Sequence, residues 1–167
     1  YEIMSSDWSS DVCSSDLKQV ELQVPLRIYG SGGELMAVYG EKRRLPLAIE
    51  QVPEIVQQAF LAAEDDRFFD HPGVDYQGLL RAMIELIRTG EKRQGGSTIT
   101  MQVARNFFLN RDKTFVRKFK EIVLALQIER ELDKREILEL YLNKIYLGQR
   151  AYGVGAAAEI YYGQGLA

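Results

Sequence analysis

AAEDDRFFDHPG, residues Ala62–Gly73, sets three consecutive acids beside two phenylalanines and the only histidine of the chain. Carboxylates stay wet and phenylalanine rings stay dry. The stretch is therefore either a crowded turn or a place where an acid is kept partly dry. Upstream, Pro53 suits the first turn of a helix, and Ile55, Val56, Ala59, Phe60 and Ala63 recur on one face. Glu64 falls at the end of that helix, where the chain turns out of it. A carboxylate sheltered by rings loses solvation of its charged form, which tunes it for acid–base work near neutral pH. Glu64 is accordingly the first candidate catalytic group, and His71, ahead of Pro72 and Gly73, reads as a structural hydrogen-bonding residue.

Downstream, a second helix is expected from about Asp75, with Leu79, Leu80, Met83, Ile84 and Ile87 on its apolar side and Gly90 ending it. RQGGSTIT is a loop feeding a third helix that runs to about Leu109. A fourth covers roughly Phe115 to Leu132. A fifth starts at Asp133, with Glu136 as capping-box partner, and Gly148 closes it. AYGVGAAAEIYYG reads as a helix of small residues packed closely on something. Before all of these, apolar residues alternate from Val20, GSGG at Gly30–Gly33 marks a turn, and ELMAVYG is a second extended run, hence a β-hairpin. The expected class is mainly α, that is α+β with a small β-hairpin.

Composition narrows the choices. The chain has 167 residues, 46% hydrophobic and 27% charged, an ordinary globular balance with room for one domain. One cysteine, Cys13, leaves no internal disulfide or cysteine cluster. No run approaches the ~18 apolar residues of a membrane-spanning helix. SSDWSSDVCSSDL, Ser5 to Leu17, repeats Ser-Ser-Asp three times without helical or strand period. It resembles a translated adaptor scar, the alternative being a low-complexity linker. The expected division is 1–17 non-native, 18–45 a hairpin lead-in and 46–167 one incomplete domain.

Spacing says most about the fourth helix. Arg117, Glu121, Leu124 and Ile128 share one face at i, i+4, i+7 and i+11. Glu121 thus sits where a charged stripe turns apolar, partly desolvated beside Arg117 and Lys118; the alternative is a solvated surface pair worth ~0.3–0.5 kcal/mol. On the third helix, Thr98, Gln102 and Arg105 share a face, with Ser97 near the start. Two glycines and exposed amides there could seat an anion, or Ser97 could simply cap the helix. From Arg105 to Lys120 six basic residues meet one acid, a local +5 in a chain of net charge −3. Phe107, Phe108, Phe115 and Phe119 interleave with these charges, and Phe119 is the one most expected in the core. Such a mixture suits an anionic membrane surface or a lipid diphosphate. It also suits single-stranded nucleic acid, against which the acidic total argues.

EDDRFFDHPG, GGSTITMQ, RKFKE, ILELYLNKIYLG and GVGAAAEIYYG follow one another in the order of the five motifs of the peptidoglycan glycosyltransferases (glycosyltransferase family 51). From Pro46 to Gly163 the chain resembles the N-terminal catalytic region of bifunctional class A penicillin-binding proteins. The resemblance implies a lysozyme-like glycosyltransferase fold, C-terminally truncated here, that polymerises lipid II at the outer, periplasmic face of the bacterial cytoplasmic membrane. It implies that Glu64 is the base on the acceptor 4-hydroxyl and that Glu121 is the second catalytic glutamate. Arg117, Lys118 and Arg105 fall at positions near the donor diphosphate, and Asp65, Ser97, Thr98 and Gln102 at other substrate-binding positions. Met101 departs from the second motif, where two adjacent glutamines are common.

The same resemblance implies no required cofactor, though a divalent cation, Mg or Mn, assists the diphosphate in some members; no metal cage is visible. The implied partners are lipid II, the growing glycan strand and a membrane surface met through Arg105–Lys120. A membrane anchor before Lys18 and a transpeptidase domain after Ala167 are also implied, since no Lys-Thr-Gly occurs within the chain. Two other readings stay open. A lytic transglycosylase would use a glutamate among aromatics but would gain nothing from Arg117 and Lys118. A nucleic-acid-binding module would use the basic stretch alone and bind with strong salt dependence.

Overall fold

The structure is a computed structural model and describes residues 22, 24–40, 43–90, 96–109 and 115–166. The expected non-native stretch 1–17 and the basic residues Arg111 and Lys113 lie outside these. Among the described residues the chain forms strands β1 (Leu26–Tyr29), β2 (Leu35–Tyr39), β3 (Arg43–Arg44) and β4 (Ala151–Tyr152). Its α-helices are α1 (Glu54–Glu64), α2 (Tyr76–Thr89), α3 (Ile99–Phe108), α4 (Phe115–Glu131), α5 (Lys134–Lys144) and α6 (Val154–Tyr162). A single 3-10 turn, Ile49–Gln51, precedes α1. The mainly helical class with a small hairpin is what the alternation and periodicity predicted.

Helix α3 is the centre of the packing. Its Ile99, Val103 and Ala104 meet Leu124 and Ile128 of α4, Ile137, Leu138, Tyr141 and Leu142 of α5, and Phe68 from the loop after α1. α5 starts where the sequence says it should: Glu136 N donates to Asp133 Oδ1 and Asp133 N to Glu136 Oε2, each at 2.8 Å. It ends at Lys144, four residues before Gly148, because Ile145 turns extended. Asn143 then acts as a piece of strand. Its Oδ1 accepts from Leu47 N at 2.9 Å and its Nδ2 donates to Leu47 O at 2.8 Å, which pins the segment leading into α1. At Gly153 (φ +88°) a Cβ would stand 2.8 Å from Asn143 O, so glycine is required for this close crossing.

The hairpin β1–β2 is antiparallel, pairing Leu26 with Tyr39 and Arg27 with Val38. Arg27 Nη2 reaches Glu159 of α6 at 3.1 Å. A second sheet was not foreseen: β3 and β4 pair in parallel, Arg43 with Ala151 and Arg44 with Tyr152. Two residues on each side are too short to show a period.

Three expected core faces are corrected. On α1, Ile55, Ala59 and Ala63 are exposed, while Val56 and Phe60 are half-buried. On α2, Leu79 packs beside Val74, Met101 and Ala125 as expected, but Leu80, Ile84 and Ile87 are exposed, Ile87 by 78%, and the Met83 side chain lies outside the described residues. Amphipathic spacing gives the helix but not a partner for its stripe. Phe119, expected in the core, is 59% exposed. Glu121, Leu124, Ala125 and Ile128 form the buried face of α4, and Phe119 stands two residues, some 200°, round from Glu121.

The loop between α1 and α2 is braced at both ends. Arg67 pairs with Asp75, which also caps α2 by accepting from Gly78 N at 2.9 Å. The Arg67 hydrogen bond, first, holds the Asp75 carboxyl down to about 2 from its ordinary 3.8. A depressed carboxylate stabilises the fold above its unfolded pKa and loses that contribution as pH falls through the folded one. The stability gap between wild type and Asp75→Asn is therefore expected to be full above about pH 4 and to close as pH falls towards 2. Urea titrations across that range check it, and a gap independent of pH would contradict it.

Candidate active site

Asp65 leaves the helix in an extended conformation (φ −163°), and this one residue sorts the acids. Glu64 stays outside, exposed, while Asp65 turns in and is buried. The sheltered acid is thus Asp65, and the expected shelter of Glu64 by aromatic rings is not present. His71 Nε2 lies 3.0 Å from both Asp65 oxygens, the arrangement of a donor imidazole N–H. Asp65 Oδ2 also accepts from Ile99 N at 3.1 Å. His71 is structural, as read. Its carbonyl receives Lys134 Nζ at 2.7 Å, and that ammonium lies 4.4 Å from the centre of the buried Phe68 ring. Gly73 (φ +88°) completes the turn where a Cβ would meet Ala125 O at 3.0 Å.

These contacts answer the question of the anion seat at the start of α3. The carboxylate of Asp65 occupies it. Ile99 N is taken by Asp65, and Met101 N by the Thr98 hydroxyl at 3.2 Å, so Thr98 rather than Ser97 is the cap. Thr98 and Asp65 are both buried and hold backbone in place.

Ser97, Gln102 and Arg105 are half-buried. Gln102 Nε2 donates to Glu64 Oε2 at 2.8 Å, which ties α1 to α3. At the head of α3, Ser97 Oγ accepts from Lys118 Nζ at 2.7 Å, and the same ammonium stands 3.2 Å from Glu121 Oε2. Arg117 Nη1 lies 3.1 Å from the other oxygen, Glu121 Oε1. That second contact is close in distance without the alignment of a hydrogen bond, since Oε1 counts no donor. Glu121 is 1% exposed, against 22% and 38% for the side chains of Arg117 and Lys118. The solvated-surface alternative for this pair is therefore excluded: a buried carboxylate is bracketed by two cations that are themselves partly exposed.

Both glutamates are tied to the N-terminal half of α3, one through Gln102 and one through Ser97 and Lys118. An exposed carboxylate that can take a proton thus lies on the same helix end as a cation pair that can meet an anion. Tyr141, which the sequence reading did not single out, packs its ring edge-on to Phe60 at 6.2 Å between centroids, one helical turn before Glu64. The only signal was the first tyrosine of ILELYLNKIYLG, and on the apolar face of α5 it reads as core.

Glu121 is already matched by Arg117 and Lys118, and among the described residues no three His, Cys, Asp or Glu converge. The basic stretch is less free than expected. Phe107 and Phe108 pack against the core, with Lys144 Nζ 4.1 Å from the Phe107 ring centre. Val116 and Phe119 are the exposed apolar groups there. A cavity of about 570 Å³ opens elsewhere, among Arg43, Gln149, Arg150, Ile160 and Tyr161, and includes no candidate catalytic residue.

A family model described as Transglycosylase matches residues 32–167. Penicillin-binding protein 1A of Escherichia coli (strain K12) is 57% identical over 148 residues, covering 89% of this chain and 17% of that protein. The Pseudomonas aeruginosa protein of the same name is 54% identical over 148 residues, covering 89% of this chain and 18% of its own length. A solved penicillin-binding protein 1A from Haemophilus influenzae overlaps 88% of this chain and 12% of its own, at 28% identity and a TM-score of 0.35, too loosely to speak to the fold. The chain spans under a fifth of the length of the curated relatives it matches.

Proposed function

The chain belongs to the transglycosylase family, and on that premise we propose that it is a peptidoglycan glycosyltransferase, joining lipid II into β-1,4-linked glycan strands. The observation that carries this reading is the Glu121 carboxylate held between Arg117 and Lys118 on the helix end that also holds Glu64. In the proposed step, the acceptor 4-hydroxyl oxygen attacks the anomeric carbon of the lipid-linked strand and its proton passes to Glu64. The bond from that carbon to the diphosphate oxygen breaks, the electron pair leaves with undecaprenyl diphosphate, and the anomeric centre inverts. Charge grows on the diphosphate as the bond opens, and Arg117 and Lys118 are the groups to meet it. Gln102 aims Glu64. Arg105, one turn on from Gln102, adds positive charge to the same face.

Such a substrate keeps its tail in lipid, so the domain works at the outer face of the cytoplasmic membrane, within a longer protein that also carries a transpeptidase. Among the described residues no helix is long and apolar enough to cross a membrane. Surface docking falls instead to exposed apolar groups: Val116 and Phe119 among the lysines and arginines of α4, and the stripe Leu80, Ile84 and Ile87 of α2. A glycan-cleaving enzyme would have no use for the cation pair.

One experiment separates these readings. Incubated with lipid II in anionic liposomes, the protein is expected to sediment with the vesicles and to produce glycan polymer, while finished strands stay uncut. Cleavage of finished strands without polymerisation would replace the reading with the lytic one. Polymerisation without vesicle binding would remove only the docking surface.

A further inference from the structure

Tyr141 is 1% exposed, and its hydroxyl makes no hydrogen bond with any described residue. A buried polar atom left without a partner is costly, and most proteins remove it or pair it. Phenylalanine would fill the same space without that cost, so the hydroxyl calls for a reason. Its surroundings supply one. The ring packs against Phe60 of α1, and Glu64 follows Phe60 by four residues on the same helical face. From the other side comes α3, whose Gln102 holds Glu64 and whose Arg105 follows one turn later. The hydroxyl is near enough to the Glu64 carboxylate and the Arg105 guanidinium to feel both charges. Burial, first, pushes the phenol well above its usual pKa; the Glu64 charge acts in the same direction and Arg105 opposes it. The phenol stays a neutral donor throughout. The charges of its own helix nearest in sequence are engaged elsewhere: Glu139 accepts from Ile49 N at 2.8 Å, and Lys144 lies over the Phe107 ring.

We propose that Tyr141 is a positioning residue for Glu64, its hydroxyl donating to that carboxylate once substrate closes the groove, so that the base is held aimed at the acceptor. Catalytic hydrogen bonds are often incomplete in the free enzyme and tighten only in the substrate complex. This inference rests on the polymerase reading above.

The test is Tyr141→Phe in the full-length protein, assayed for polymerisation of lipid II in detergent micelles. Loss of a hydrogen bond to a charged group predicts that kcat falls about ten- to hundredfold. KM is expected to stay unchanged, because the hydroxyl is buried away from substrate. The melting temperature should equal or exceed that of wild type, because only an unpartnered oxygen is removed. Phe60→Leu gives the packing comparison: it should lower the melting temperature and leave kcat close to that of wild type. An active wild type matched by Tyr141→Phe in kcat would overturn the role of Tyr141 alone. A wild type that makes no polymer would overturn the reading beneath it.

Discussion

Glu64→Gln is expected to reduce polymerisation by at least about a thousandfold while leaving the fold untouched, the largest separation of activity from stability in this chain. The stability half follows from exposure. Glu64 ends α1 in solvent, where it accepts a hydrogen bond from Gln102 Nε2. A glutamine there still presents a carbonyl oxygen to that donor, and exposed substitutions of this kind change stability by roughly 0.5 kcal/mol or less. The activity half follows from chemistry: an amide has the shape of the carboxylate and cannot take the proton of the attacking hydroxyl. Since Glu64 is not sheltered by rings in the free protein, exclusion of water has to come with the substrate itself. Gln102→Ala should therefore cost less than Glu64→Gln, as it loosens the base without removing it. Thermal melts and lipid II turnover on the same preparations check both halves. Retained full-rate polymerisation by a folded Glu64→Gln protein would end the base assignment.

The contrast between Glu64 and Asp65 shows where sequence reading stops. Three acids beside two phenylalanines did announce that one carboxylate would be kept dry, and Asp65 is that one. Which of the three turns inward depends on a single backbone dihedral at the end of α1, and no periodicity encodes it. The cost of choosing the wrong neighbour is visible in the anion seat at α3. Glycines and free amides were legible there, whereas their use by Asp65 required knowing that the loop 65–75 folds back over the helix start. Faces with two partners were legible, because the pattern on α4 from Arg117 through Glu121 and Leu124 to Ile128 changes from charged to apolar at the boundary of the core. Faces with no partner among the described residues were not. Beyond Leu79, the stripe on α2 has the same period as a buried one, and only the want of a neighbour among the described residues distinguishes them. Tyr141 was hidden for another reason: its ring behaves as an ordinary core aromatic, and only coordinates reveal an oxygen left over.

Glu121→Gln should fail in both respects, and how it fails tests the cation pair. Removing one partner of a buried ion pair costs 3–5 kcal/mol when the charge left behind cannot reach water. Here Arg117 and Lys118 are 22% and 38% exposed, so they can turn outward, and a loss of about 1–3 kcal/mol is expected instead. If the carboxylate served the fold alone, the remaining folded protein would polymerise at the normal rate, because exposed cations would still be present. If it aims them, freeing Arg117 and Lys118 lets them swing away from the place where the diphosphate charge develops. Loss of such preorganised stabilisation costs about a hundred- to a thousandfold in kcat. The decisive measurement is kcat taken well below the melting transition of the variant, alongside Arg117→Ala. That variant removes a cation directly and should weaken use of the lipid-linked donor more than use of the acceptor. A folded Glu121→Gln protein with normal kcat would reduce the carboxylate to a packing element and leave the cations to act unaided. A deep loss at full foldedness would mean that the buried acid serves the reaction through the two bases it holds, the reason for keeping a carboxylate 1% exposed at the head of α3.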